Sequence, residues 1–135
     1  MKAIVVLMDS LNRHMLNAYG SGEVRTPNID RLAARSVVFE NHYIGSAPCM
    51  PARRDMLTGR LNFLERAWGG VEPFDVTLPE RLREGGVFSH IETDHYHYFC
   101  GGGENYHTRF DNWQFHRGQE WDQTPTPIAD PPEPE

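Results

Sequence analysis

The chain reads as an α/β fold with a mostly parallel central sheet flanked by helices, and three observations predict it. Ala3-Ile4-Val5-Val6-Leu7-Met8 is an unbroken apolar run rich in β-branched residues, the pattern of a strand buried on both faces of a parallel sheet. Segments with helix-capping chemistry follow it. Val87 to Ile91 is a second buried-strand candidate, so the order becomes strand, helix, cysteine-bearing helix, helix, strand.

The first strand ends at Asp9, which puts a carboxylate at the carboxyl edge of the sheet, where open α/β sheets bind their ligands. Thr26-Pro27 starts a helix with a hydroxyl N-cap and a proline in the first turn, and Ile29, Leu32 and Ala33 give it one apolar face. Val37-Val38-Phe39 is a short strand candidate. Pro51 to Thr58 predicts a helix closed by Gly59. Thr77 and Glu80 form a capping box for a helix that carries Leu78 and Leu82 and stops at Gly85-Gly86. The strand over Val87 to Ile91 then delivers Asp94, His95 and His97 just past its end. From Cys100 the character changes: Gly101-Gly102-Gly103 predicts a loop, and the stretch to Trp121 is aromatic and polar without clear periodicity. Trp113, Phe115 and Trp121 read as packing residues for a further part of the domain ahead of a substrate cage. Five prolines between Pro125 and Pro134 make residues 123–135 an extended tail with no core of its own.

With 135 residues the chain has enough length for one ordinary domain. Its 13 Lys and Arg are scattered against 19 Asp and Glu, a net charge of −6, which speaks against a nucleic-acid surface and leaves any anion to local attraction. Two cysteines, Cys49 and Cys100, carry no disulfide framework and fit a reducing compartment. The apolar run before Asp9 is too short for a signal-peptide core or a membrane span, which predicts a cytoplasmic protein without a membrane partner.

The segment that carries chemistry is Ser46-Ala47-Pro48-Cys49-Met50-Pro51-Ala52-Arg53-Arg54-Asp55-Met56-Leu57-Thr58-Gly59-Arg60. A thiol stands one or two residues before the expected helix start and a guanidinium follows one turn later, so Cys49 faces unpaired backbone N–H donors and a fixed positive charge. A cysteine-phosphatase loop would need Arg six positions after the cysteine, and position 55 is Asp. His95 and His97 alternate as in a strand and resemble a zinc pair, but no second pair at ligand spacing accompanies them.

Cys49-Met50-Pro51-Ala52-Arg53, followed by Leu57-Thr58-Gly59, resembles the sulfatase signature Cys-x-Pro-x-Arg. The likeness extends from residue 1 to about residue 122 through Val6-Leu7-Met8-Asp9, Thr26-Pro27-Asn28-Ile29-Asp30-Arg31-Leu32, Leu78-Pro79-Glu80-Arg81-Leu82 and Thr93-Asp94-His95-Tyr96-His97. It implies that residues 1–122 are the amino-terminal part of a sulfatase catalytic domain of the alkaline phosphatase superfamily, a sandwich around a mostly parallel sheet. It implies a hydrolase of small-molecule or saccharide sulfate esters. Cys49, oxidised to formylglycine by a formylglycine-generating enzyme, would be nucleophile and metal ligand, and Asp9 a carboxylate ligand of a divalent cation, Ca²⁺ ahead of Mg²⁺ or Mn²⁺. Arg53 would hold the nucleophile's oxygen and the sulfate, while His97, with His95 in the place of the family's lysine, would contact substrate or protonate the leaving group.

The chain departs from the family pattern at three points. Asp9 is followed by Ser10 where many sulfatases have a second aspartate, and Ala52 replaces a common serine. The family's later metal ligands, an Asp with an Asn or His, have no counterpart downstream, which reads the chain as an amino-terminal piece of a longer enzyme. Two alternatives stand beside a sulfatase: a phosphonate monoester or phosphodiester hydrolase of the same superfamily, which shares the cysteine signature and varies the residue after the first aspartate, and a non-catalytic fragment.

Overall fold

In the computed structural model residues 2–64, 68–100 and 105–118 are described, so the triglycine segment, Trp121 and the proline-rich tail lie outside them. The chain divides into a first unit up to Ile44 and a second from Gly45 onward.

The first unit holds two 3₁₀ turns, Arg13–Met15 and Asn17–Tyr19, and helix α1, Pro27–Ala33. Proline sits in the first turn of α1, where its missing N–H costs nothing. The Thr26 hydroxyl does not cap the helix as expected. It donates instead to Asp30 Oδ1 (3.0 Å) and accepts the Asn17 N–H (3.2 Å), while Asn17 Nδ2 donates to Asp30 Oδ2 (3.2 Å), so Asp30 fastens α1 to the second turn. Tyr19 donates its hydroxyl to the Phe39 carbonyl (3.0 Å), and Arg13 donates to the Glu40 carbonyl.

Two expected strands do not form in this unit. Neither Ala3 to Met8 nor Val37 to Phe39 forms a ladder. Ile4, Val5 and Val6 are 89, 78 and 73% exposed. An apolar run becomes a buried strand only where neighbours supply hydrogen bonds on its edges and cover on its faces, and the described residues supply neither. None of residues 2–44 is buried.

The second unit contains α2 (Cys49–Thr58), α3 (Leu78–Glu84), and strands β1 (His90–Thr93) and β2 (Asn112–Phe115). The strands pair in parallel with His90 opposite Asn112 and Thr93 opposite Phe115, so the α/β class holds. β1 begins three residues later than Val87, and β2 arises in a stretch where no strand was expected. Ahead of both strands the Asp111 carboxylate takes the Ser89 N–H and hydroxyl, each at 2.8 Å, and also pairs with Arg83. The Arg83 hydrogen bond first, and then those from Ser89, lower the Asp111 carboxyl to about 2.

Helix α2 ends at Gly59, whose φ of 69° is the left-handed conformation that glycine adopts without a Cβ penalty. At α3 the capping box forms: Glu80 Oε2 accepts the Thr77 N–H (2.9 Å) and hydroxyl (2.7 Å). Burial pulls the Glu80 carboxyl up, but these bonds and Arg109 outweigh it and the net shift is downward.

The core consists of Met50, Val71, Tyr98 and Tyr106, with Cys49, Leu57, Ile91 and Phe99 packed against it. Tyr106 is the joint. Its hydroxyl lies 3.1 Å from the Met50 carbonyl and 3.0 Å from that of Gly69, and its ring stacks on Tyr98 at 5.1 Å with planes 13° apart. On the side chains of the sheet, Phe99 packs against Phe115 and Trp113 (4.1 and 5.5 Å between centroids). His107 stacks on Phe99 and lies within hydrogen-bond distance (3.0 Å, Nδ1) of the Tyr98 carbonyl; burial lowers its pKa from the ordinary value although that bond opposes the shift.

Candidate active site at the start of helix α2

Cys49 is the first residue of α2 rather than one or two before it, with Pro48 at the cap position and no side chain capping the turn. Ala52 N–H closes the first turn on the Pro48 carbonyl at 3.2 Å. The thiol is half-buried, and the positive end of the helix axis lies beside it. Arg53 follows four residues on, so it shares the face of the helix that carries Cys49, and it is also half-buried.

The next residue turns about 100° around the axis and does something different. Arg54 is buried, with Nε 2.8 Å from Asp75 Oδ2 and Nη2 3.0 Å from Asp75 Oδ1, a two-pronged pair that also takes in Asn62. Thr58 donates its hydroxyl to the Arg54 carbonyl (2.7 Å). On the same helix the Asp55 carboxylate accepts the Ser46 hydroxyl (3.0 Å) and the Asn62 N–H (2.6 Å), tying the segment before Cys49 to the turn after the helix. A Cβ on Gly45 would come within 2.5 Å of Asp55 Oδ2 and 2.4 Å of Leu61, so a larger residue there would push the Asp55 and Leu61 side chains aside. Sequence reading missed this scaffold, since nothing local marks Asp55, Asn62 and Asp75 as partners.

The two histidines arrive from the end of β1. His95 is buried, and its backbone N–H is held by Thr93 Oγ1 at 3.0 Å. His97 lies in the 3₁₀ turn Tyr96–Phe99, so the strand continuation assumed for the pair is replaced by a turn. Three ring contacts orient them: His97 against Trp68 (5.0 Å), His95 against Tyr98 (4.9 Å) and His95 against His97 (5.3 Å), all edge-on. His97 Nδ1 comes within 4.0 Å of Cys49 Sγ. One ligand atom from each of Cys49, His95 and His97 lies within 4.8 Å of the others.

The structure thus brings three of the expected site residues together and places Arg53 on the same helix as one of them. Asp9 belongs to the first unit, exposed, with the Ser10 hydroxyl donating to its Oδ1 at 3.1 Å. Neither Cys49 nor Cys100 is in a disulfide. Asp94 is exposed. Trp68, which no motif singled out, is the aromatic wall of the site. Among the described residues no helix is long and apolar enough to cross a membrane.

A family model described as Sulfatase matches residues 2–135. Human N-acetylgalactosamine-6-sulfatase is 32% identical over 104 residues, covering 65% of this chain and 20% of that protein. Human iduronate 2-sulfatase is 42% identical over 60 residues, covering 44% and 11%, and bovine arylsulfatase A is 35% identical over 97 residues, covering 65% and 19%. The chain spans about a fifth of the length of the curated relatives it matches first. No solved structure matches it.

Proposed function

The chain belongs to the sulfatase family, and from that premise we propose that it is the amino-terminal portion, residues 1–122 with a tail over 123–135, of a sulfuric ester hydrolase that acts through a formylglycine made from Cys49. The observation that carries this reading is the Cys49-x-Pro51-x-Arg53 signature at the first turn of α2 with the His97 imidazole 4.0 Å from the reactive atom. Conversion by a formylglycine-generating enzyme would give residue 49 a hydrated aldehyde, whose hydroxyl supplies the nucleophile toward sulfur.

The chain's own residues do the rest. A sulfate ester bound at the start of α2 meets backbone N–H groups and the helix's positive end. Arg53, one turn away, holds the sulfuryl oxygens and offsets the charge that grows on them in the transition state. The leaving alkoxide needs a proton, and His97, whose ring faces residue 49, is placed to deliver it, with His95 behind it. Trp68 and the buried His95 pack edge-on against that imidazole and hold its orientation.

The family resemblance also implies a divalent cation, Ca²⁺ first. Such ions take six to eight oxygen ligands. The second unit gathers at residue 49 two imidazole nitrogens and, after conversion, the oxygens of residue 49 in place of its sulfur, fewer oxygens than such an ion takes, and Asp9 belongs to the first unit. Among the described residues that donor set does not fit a hard cation, and no step is assigned to one.

The test is the full-length protein co-expressed with a formylglycine-generating enzyme. The tryptic peptide carrying Cys49 should lose the mass of a sulfur-for-oxygen exchange plus two hydrogens, an aryl sulfate should be hydrolysed, and Cys49→Ala should abolish turnover. A peptide that stays unconverted would overturn the reading. Ser10, in the place of a second aspartate, favours one alternative: turnover of an aryl phosphonate monoester or phosphodiester in preference to the sulfate would assign the protein to that class.

A further inference from the structure

We propose that, before conversion, Cys49, His95 and His97 form a three-donor site for Zn²⁺ that masks the thiol. The inference needs only the unconverted cysteine and does not rest on the sulfate-ester reading.

The donor chemistry selects the ion. A thiolate with two imidazoles is a soft and borderline set that suits Zn²⁺ and excludes Ca²⁺ and Mg²⁺. The spacing suits it as well. In a tetrahedral site with Zn–S about 2.3 Å and Zn–N about 2.0–2.1 Å, sulfur and nitrogen are about 3.5 Å apart. Cys49 Sγ and His97 Nδ1 stand at 4.0 Å, and all three donor atoms fall within 4.8 Å. The fourth position is left to water, as in other three-ligand zinc sites.

The donors are also held in place before any ion arrives. His95 is buried with its ring edge on Tyr98, and His97 packs edge-on against Trp68. Tyr106 couples the two elements that contribute, because its hydroxyl meets the Met50 carbonyl next to Cys49 while its ring stacks on Tyr98 next to His97. On binding, the Cys49 S–H bond gives way to a Zn–S bond and the proton passes to solvent; nothing is oxidised or reduced. A sulfur whose electron pair is shared with zinc is a poor nucleophile toward an alkylating agent, so Zn²⁺ would shield the unconverted thiol of the folded chain.

The experiment uses the full-length protein expressed without the converting enzyme and titrated with Co²⁺ as a spectroscopic stand-in for Zn²⁺. One equivalent should produce a near-ultraviolet thiolate-to-cobalt charge-transfer band with the visible bands of tetrahedral Co²⁺, and Zn²⁺ should bleach both. Cys49→Ser should remove the charge-transfer band and Cys100→Ser should leave it. His97→Ala, checked for native circular dichroism, should weaken binding at least about tenfold, the loss that removing even an outer-shell partner brings. In parallel, Zn²⁺ should slow iodoacetamide labelling of Cys49 and not of Cys100, read by peptide mass. Absence of the band at one equivalent, its survival in Cys49→Ser, or equal labelling of Cys49 with and without Zn²⁺ would overturn the proposal. A band in a protein that hydrolyses no sulfate ester still upholds the metal site and counts only against the reaction.

Discussion

Replacing Asp75 by Ala leaves the Arg54 guanidinium buried beneath α2 without its counter-charge. The pair is desolvated on both sides, with side chains 3 and 1% exposed, and it is two-pronged, at 2.8 and 3.0 Å. A surface ion pair contributes about 0–1 kcal/mol, but breaking a buried one by removing a single partner costs about 3–5 kcal/mol, because the remaining charge cannot return to water. Asp75 also accepts the Glu72 N–H at 2.8 Å, which places the loss toward the upper end of that range. With a urea slope of about 1–3 kcal/mol per molar, the unfolding midpoint should fall by at least about 1 M. The second half of the experiment is Arg54→Leu with Asp75→Ala. If burial of an unpaired cation is the cause, the double variant should regain about 1–3 kcal/mol relative to the sum of the single ones. A single substitution that shifts the midpoint by less than about 0.3 M, or a double variant that is simply additive, would refute the reasoning and would mean that Arg54 reaches solvent. Because Arg54 and Arg53 are adjacent on α2, Asp75→Ala should also loosen the helix that presents Cys49.

Tyr106→Phe keeps the ring and removes the hydroxyl that meets the Met50 and Gly69 carbonyls; the two buried acceptors should cost about 1–3 kcal/mol, measured by urea unfolding. Acid should weaken the second unit in two stages. His107, lowered by burial, favours its neutral form when folded, so its contribution is present above the ordinary value of 6.5 and is lost as the pH falls below it. Asp111, lowered to about 2 by Arg83 and Ser89, contributes stability above its ordinary 3.8 that is lost between there and about 2. Asp111→Asn should remove the second stage from the pH dependence of the unfolding midpoint and leave the first. If His97 protonates the leaving alkoxide, His97→Ala in the converted protein should slow esters of poor leaving groups about 10²-fold or more and activated aryl esters much less; equal losses on both would make it a positioning residue.

What could be read from the residues was whatever is decided within one turn of chain. Pro27, Gly59 and the Thr77/Glu80 box each set the end of a helix by local hydrogen bonding or by a single φ angle, and α1, α2 and α3 lie where those signals put them. Strands depend on partners, and that is where the reading failed. Ala3 to Met8 carries the strongest strand pattern in the chain and makes no ladder, whereas Asn112–Phe115, with only Trp113 and Phe115 to suggest alternation, pairs with β1 because Asp111 and Ser89 clamp the two chain segments just ahead of it. The site divides along the same line. Cys49, Pro51 and Arg53 are legible as a motif because one helix turn fixes their relation. That His95 and His97 gather at the same sulfur is not, because the His97 contact spans 48 residues of chain and is secured by a third place, Tyr106. A histidine pair read from spacing lacks its remaining donors until the fold supplies one, and here the supplied donor is the cysteine of the signature itself. The same three atoms therefore answer to two chemistries: with the thiol intact they are a soft-metal ligand set, and with position 49 oxidised the sulfur is gone and the imidazoles face an oxygen nucleophile. Tyr106 holds both arrangements through the Met50 carbonyl and the Tyr98 ring, so its loss should degrade zinc masking and ester hydrolysis together.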